Sequence, residues 1–255
     1  MSPSLVALTV PPRAPAPLIV SALFLSESTE GLDEGAGFLD GLGPADVARL
    51  RAAGRTLTLA PGQSVFRQGE PHAGIFLIDE GRVRVFYTGP SGRQITLAYW
   101  TPGHFIGGPS LTGGGSHQWS GEAIEACRVT ALSAPTLRSL IRQMPDFALC
   151  LIEALEAKGR CYTAMAQMLG TRSVIERLAQ LLLNLGDLYG REVAGARVIE
   201  RRITHDELAA LIGSTRQWVT MMLKRFQADG IVAVDKSFIR ITRPERLAAI
   251  VQAAQ

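Results

Sequence analysis

Between Leu57 and Leu132 apolar residues come in short alternating runs cut by glycine. Ile75-Phe76-Leu77-Ile78, Val83-Arg84-Val85-Phe86-Tyr87 and Ile95-Thr96-Leu97-Ala98-Tyr99 are three of them. The breaks read Pro61-Gly62, Gly69-Glu70, Glu80-Gly81, Ser91-Gly92 and Pro102-Gly103. Short strands at roughly ten-residue spacing predict an antiparallel sandwich or barrel. Turn geometry accounts for most of the glycines.

From Pro135 to Leu188 the period turns helical. A short helix closes near Met144-Pro145. A long one carries Leu151, Leu155, Tyr162, Met165 and Leu169. Steps of three, four and seven suit a seam between the helices of two chains; packing on the chain's own barrel is the other reading. Gly170-Thr171 interrupts the pattern, and a second helix runs from Val174 to Leu188.

The last quarter is α-rich. Thr204-His205-Asp206-Glu207 is a Thr-x-x-Glu capping box. It starts a helix with Leu208, Leu211 and Ile212 inward, stopped by Gly213. A second helix runs from about Thr215 to Ala228, with Val219, Leu223 and Phe226 inward. Two such helices across a tight glycine turn make a helix-turn-helix. Val232 to Val234 and Phe238 to Ile241, joined by Asp235-Lys236-Ser237, would be its wing, and Pro244 opens a terminal helix.

The expected organisation is an arm over 1–37, a β domain over 38–135, a long-helix region over 136–170 and a DNA-binding domain over 171–255. The arm holds five of the fourteen prolines, then a Ser/Glu/Gly stretch, and is expected to be poorly ordered. Pro44 suits the first position of a helix with Val47 and Leu50 on its apolar side.

Composition adds a direction. Of 255 residues 47% are hydrophobic and 19% charged, enough for a core. From Arg201 onward there are nine Lys/Arg and five Asp/Glu; the first 200 residues hold 17 and 18. The positive excess sits at the C-terminal end, as for a nucleic-acid partner. Three cysteines, Cys127, Cys150 and Cys161, are odd in number and widely spaced. They make no disulfide framework, zinc site or four-thiolate iron–sulfur cluster. No apolar run approaches the ~20 residues of a membrane span. The run Leu18 to Leu25 lacks a signal-peptide cleavage site. A cytoplasmic protein without a membrane partner is expected.

The second helix of the pair carries the chemistry. Arg216, Thr220 and Lys224 lie on one stripe at i, i+4 and i+8, flanked by Gln217 and Met221. Such a stripe can enter a major groove, with Arg216 bidentate to guanine and Gln217 to adenine. A solvated helix face is the plain alternative. Ser-x-x-Gln is also a capping box, so Gln217 could instead cap Ser214. Trp218 either presses on the sugar–phosphate backbone or packs on the wing.

Several segments together resemble one family. They are Leu59-Ala60-Pro61-Gly62 to Phe66-Arg67-Gln68-Gly69-Glu70-Pro71, then Ile78-Asp79-Glu80-Gly81-Arg82-Val83, then Gly103-His104-Phe105-Ile106-Gly107. Ile212-Gly213-Ser214-Thr215-Arg216-Gln217-Trp218-Val219-Thr220 is similar to a Gly-x-Ser/Thr-Arg-x-x-Val signature. The resemblance, over roughly residues 38 to 250, is to the cyclic-AMP receptor/fumarate-nitrate regulator (CRP/FNR) family of bacterial transcription factors. It implies an α+β chain: an N-terminal antiparallel β-roll of jelly-roll type, a long dimerisation helix and a C-terminal winged helix-turn-helix. It also implies a homodimer on a near-palindromic double-stranded DNA site, with Thr204, Ser214, Thr215, Arg216, Gln217, Thr220 and Lys224 at the DNA. RNA polymerase is an implied partner, through a loop within Leu188 to Ala196.

The chain departs from the family at the effector. Cyclic-AMP binders carry Gly-Glu-Leu and, later, Arg-Ser/Thr-Ala, for ribose and phosphate. Here Gly107-Gly108-Pro109-Ser110 and His117-Gln118-Trp119-Ser120 stand there, with no Lys or Arg between Arg93 and Arg128. A phosphate would rest on backbone amides alone, so an effector other than cyclic AMP is expected. Haem through His104 or His117 is a further option. Ser110-Leu111-Thr112-Gly113 with Leu132-Ser133-Ala134-Pro135 is similar to regulators that bind 2-oxoglutarate. An effector pocket would be lined by Phe105, Gly107, Gly108, Ser110, Gln118 and Trp119, with Tyr162 and Thr163 from the long helix. A constitutive DNA binder with a lost ligand site, and a cyclic-nucleotide-binding regulatory subunit of an enzyme, are the rival readings. No nucleophile–base pair, metal set or phosphate loop suggests catalysis.

Overall fold

The computed structural model describes residues 39–108, 110–111, 114–193, 196–199, 203–235 and 238–252. The N-terminal arm therefore lies outside the described residues, as do Pro109, Thr112-Gly113 and Lys236-Ser237.

Helix α1 (Pro44–Ala53) begins on its proline and buries Leu50. Eight strands follow: β1 (Arg55–Leu59), β2 (Ser64–Phe66), β3 (Ile75–Glu80), β4 (Val83–Thr88), β5 (Gln94–Trp100), β6 (Phe105–Ile106), β7 (Ser120–Ala123) and β8 (Cys127–Leu132). They form two antiparallel four-stranded sheets in the orders β1-β8-β3-β6 and β2-β7-β4-β5. Phe76 and Ile78 of β3 enter the core between the sheets, with Phe66, Val83, Val85 and Val129. Ile75 and Leu77 join a second cluster, with Leu50, Phe105 and residues of the following helices. One strand buried on both faces explains why Ile75 to Ile78 is continuously apolar. Gly81 turns β3 into β4 at φ 80°, and a Cβ there would lie 2.3 Å from Ala126 O.

Helix α2 (Ala134–Gln143) is capped by the Ser133 hydroxyl, which accepts from the Thr136 N–H. Helix α3 (Pro145–Thr171) is the long one and ends where Gly170-Thr171 was expected to end it. Its buried residues are Phe147, Cys150, Leu151, Lys158, Cys161, Met165 and Met168.

Helix α4 (Val174–Tyr189) starts at a capping box made by Ser173 and Glu176. A hairpin of β9 (Gly190–Val193) and β10 (Ala196–Ile199) leads to α5 (His205–Ile212) and α6 (Arg216–Ala228). Strands β11 (Val232–Asp235) and β12 (Phe238–Ile241) and helix α7 (Pro244–Gln252) complete the chain. The wing is larger than the expected hairpin: its four strands run β11-β12-β10-β9. The pairing Val198↔Arg240 joins strands far apart in sequence, which local alternation does not reveal. Leu178, Leu182, Leu208, Ile212, Val219, Leu223 and Phe226 form this domain's core. Tyr99 of β5, 3% exposed, belongs to that same core and carries the β-roll onto the C-terminal helical domain.

Candidate nucleic-acid interface and effector site

Three local devices set the pose of α6. Thr204 caps α5: its Oγ1 accepts from the Glu207 N–H at 3.1 Å, and Glu207 Oε2 accepts from the Thr204 N–H at 2.7 Å. Gly213 ends α5 in the left-handed region, at φ 63° and ψ 46°. Thr215 then caps α6, accepting from the Trp218 N–H at 3.3 Å. The cap is Thr215, so Ser214 and Gln217 form no capping box and Gln217 is left exposed.

Val219, Met222, Leu223 and Phe226 bury one side of α6. The opposite side presents Arg216, Gln217, Thr220, Met221 and Lys224, which line an open hollow of about 570 Å³. Met221 is 55% exposed, unusual for its type. Arg216 has Asp206 at 3.7 Å. Thr220 is less available than its place on the stripe suggests: its hydroxyl donates to Arg216 O at 2.9 Å. That hydroxyl oxygen lies 2.8 Å from His205 Nδ1 and accepts from it, its own proton being given to Arg216 O. Thr204 is likewise committed to its cap, its hydroxyl donating to Glu207 Oε2. Trp218 is half-buried and packs against the domain core.

The expected effector residues separate into two groups and three outliers. Around Gly107 and Gly108, both at positive φ, lies an imidazole stack. His72 and His117 have ring centroids 4.3 Å apart, with Phe66 4.3 Å beyond His117. His72 Nε2 donates to Gly107 O at 2.7 Å, and its Nδ1 accepts from the Gly74 N–H. His117 Nε2 accepts from the Ala73 N–H at 3.3 Å, leaving Nδ1 to carry the proton, buried and without a partner among the described residues. Burial first, then the neighbouring His72, brings His117 down to about 4. Trp119 is close: a Cβ on Gly108 would lie 3.8 Å from both its ring and His72 Nε2.

Phe105 and Tyr162 belong instead to a cluster under α3. Trp100 donates a hydrogen bond to the Tyr162 hydroxyl, and burial pushes that phenol up to about 12. Lys158, which sequence reasoning missed, lies over Trp100 and Phe105. Gln118 and Thr163 are exposed and Ser110 is half-buried, so these three do not close a pocket with the others. His117 is stacked and hydrogen-bonded through Nε2, and His104 is half-buried, its Nδ1 donating to Thr101 O.

The expected seam on α3 also needs correction. Leu151 is 4% exposed and Met165 5%, both packed within their own chain. Leu155, at 39%, lies outside, beside two residues the reading omitted, Leu149 at 58% and Ile152 at 61%. Apolar positions ran on both sides of the helix, and only the fold shows which side the barrel covers.

Two family models match in order along this architecture. Residues 56–144 match the cyclic nucleotide-binding domain, and residues 176–250 match the Crp-like helix-turn-helix domain. The chain belongs to the CRP/FNR family of transcription regulators. Among CRP/FNR relatives, it is 28% identical over 214 residues to a CRP-like cAMP-activated global transcriptional regulator of Mycobacterium tuberculosis, covering 84% of this chain and 95% of that one. It is 23% identical to the fumarate and nitrate reduction regulatory protein of Salmonella typhimurium, over 77% and 78% of the two chains. The fold is shared with the c-di-GMP responsive global regulator CLP of Xanthomonas campestris, at TM-score 0.70, 21% identity and 78% and 99% coverage. The chain is thus a CRP/FNR-type regulator with a helix-turn-helix DNA-binding domain. No helix among the described residues is long and apolar enough to cross a membrane.

Proposed function

We propose that the protein is a homodimeric, sequence-specific DNA-binding regulator switched by a small effector other than cyclic AMP. The observation that carries this is the exposed stripe of α6. Arg216, Gln217 and Lys224 stand exposed on a helix whose other side is core. Arg216 reads a guanine and Gln217 an adenine, while Lys224 meets phosphate. Two recognition helices about 34 Å apart would read a near-palindrome. The apolar, exposed Leu149, Ile152 and Leu155 of α3 supply the dimer contact. An RNA polymerase partner and a cytoplasmic location belong to the same reading, which membership of the family supports.

The effector reading rests on charge. No guanidinium or amine in the stretch 94–127 faces Gly107-Gly108, and His117 is neutral above about pH 4. A cyclic phosphate there would find no Lys or Arg of that stretch to pair with. A second reading, DNA binding without any effector, is favoured by one observation: the His72–His117 stack already packs against Gly107 and Gly108.

Selection of bound sequences from random duplexes tests the main reading. A near-palindrome bound by the wild type, and bound more weakly with one base position relaxed by Arg216→Ala, is the expected result. Binding of wild type and variant alike to all duplexes would overturn it. Calorimetry with cyclic AMP and cyclic GMP tests the effector: micromolar binding that tightens operator affinity would show that His117 and backbone amides suffice.

A further inference from the structure

Lys158 lies midway along α3 on the side turned to the β-roll, and is 8% exposed. Its Nζ sits 3.1 Å from the centre of the Trp100 ring and 4.8 Å from that of Phe105. It has no hydrogen-bond partner among the described residues. Lysine is almost never buried unpaired. The indole face returns only part of the lost hydration. The groups around it do not complete the pairing. Cys161 and Tyr162 flank it on α3, and His104 approaches from the β5–β6 turn with Asp40 beyond.

We propose that Lys158 is the charge receptor for a small monocarboxylate effector with an apolar body, taken up between β5–β6 and α3. The proposal rests on the reading of the β-roll as a sensory domain and names the chemistry it senses. A carboxylate would give the amine the charge-assisted hydrogen bonds it lacks, and Trp100 and Phe105 would face the apolar body. One amine matches one negative charge. A phosphate dianion would leave a charge uncompensated among aromatic rings.

The position also supplies the coupling. Drawing Nζ off the Trp100 ring acts on the helix that presents Leu149 and Ile152 outward. The far end of that helix carries Leu169, which lies 3.2 Å from where a Cβ on Gly213 would be. A ligand that favours one placement of α3 therefore favours one placement of the DNA-binding helices.

Burial brings the Lys158 amine down to about 7. At about pH 8 it is mostly neutral, so a carboxylate must recruit a proton as it binds. The test is calorimetry of the full chain with acetate, butyrate and phenylacetate, at about pH 8, in two buffers of different ionisation enthalpy. We expect phenylacetate to bind at least about tenfold tighter than acetate, with uptake of about one proton. Lys158→Met and Lys158→Gln should each weaken binding by at least about tenfold and abolish the uptake. Binding by none of the three acids, binding without proton uptake, or wild-type affinity in both variants would overturn the proposal. The uptake is read on the wild type, so the result does not depend on a variant folding. A mobility shift on the selected operator with the same preparations separates the two ideas: its failure removes the DNA-binding reading, whereas intact DNA binding without proton uptake removes only this one.

Discussion

The Arg216 guanidinium lies 3.7 Å from the Asp206 carboxylate, and the two side chains are 67% and 69% exposed. A pair so exposed contributes little to stability, so it can open when a base edge is offered. Arg216→Ala should cost about 1–3 kcal/mol on the operator and relax one base position. Asp206→Asn should leave the urea midpoint nearly unchanged and not weaken operator binding. Fluorescence anisotropy with matched and single-substituted duplexes measures both.

The two sides of α3 give opposite mutants. Ile152→Glu should drive the protein to monomer in sedimentation runs while the fold survives, because Ile152 is exposed in the single chain. Leu151→Ala should destabilise the fold by about 2–5 kcal/mol, since it opens a cavity under α3. If Leu151→Ala dissociates the dimer without destabilising the monomer, the assignment of sides is reversed.

Gly213 joins backbone and packing constraints at one position. Its φ of 63° costs an L-residue about 1–2 kcal/mol, and a Cβ would press on Leu169 Cδ2 at 3.2 Å. Gly213→Ala should lower the urea midpoint accordingly. Adding Leu169→Ala should relieve the contact and leave the backbone cost, which a double-mutant cycle resolves.

His117 makes stability fall in acid. Its imidazole is held neutral down to about pH 4 by burial, whereas in the unfolded chain it protonates near 6.5. Between those values the unfolded state binds more protons, so stability rises with pH across about 4 to 6.5 and is lost as pH falls through that window. The contribution is at most about 3 kcal/mol. His117→Gln keeps an acceptor for the Ala73 N–H and should flatten this part of the curve in urea titrations at stepped pH.

Much of this protein is local chemistry, and the sequence determined it. Alternating runs and glycine turns placed strands β4 and β5, and a short apolar run between turns placed β3, because such local patterns need no partner to be read. Thr204-x-x-Glu207 and Gly213 bounded α5, since caps act within a few residues. The stripe of Arg216, Thr220 and Lys224, flanked by Gln217 and Met221, followed from helical spacing once Val219, Leu223 and Phe226 were turned inward.

What only the tertiary structure decided is which neighbour covers a given side. On α3 the apolar positions run around much of the helix, so period alone could not assign Leu151 to the chain's own core and Ile152 to the outside. Thr220 lost its free hydroxyl to His205, which comes from the other helix of the pair. The hairpin β9–β10 counts as wing only because β10 pairs with β12. Lys158 looked like one more charge on a long helix. Its burial against Trp100 depends on a strand from a distant part of the chain, and a side chain's solvation is fixed by what the fold brings against it rather than by its own type.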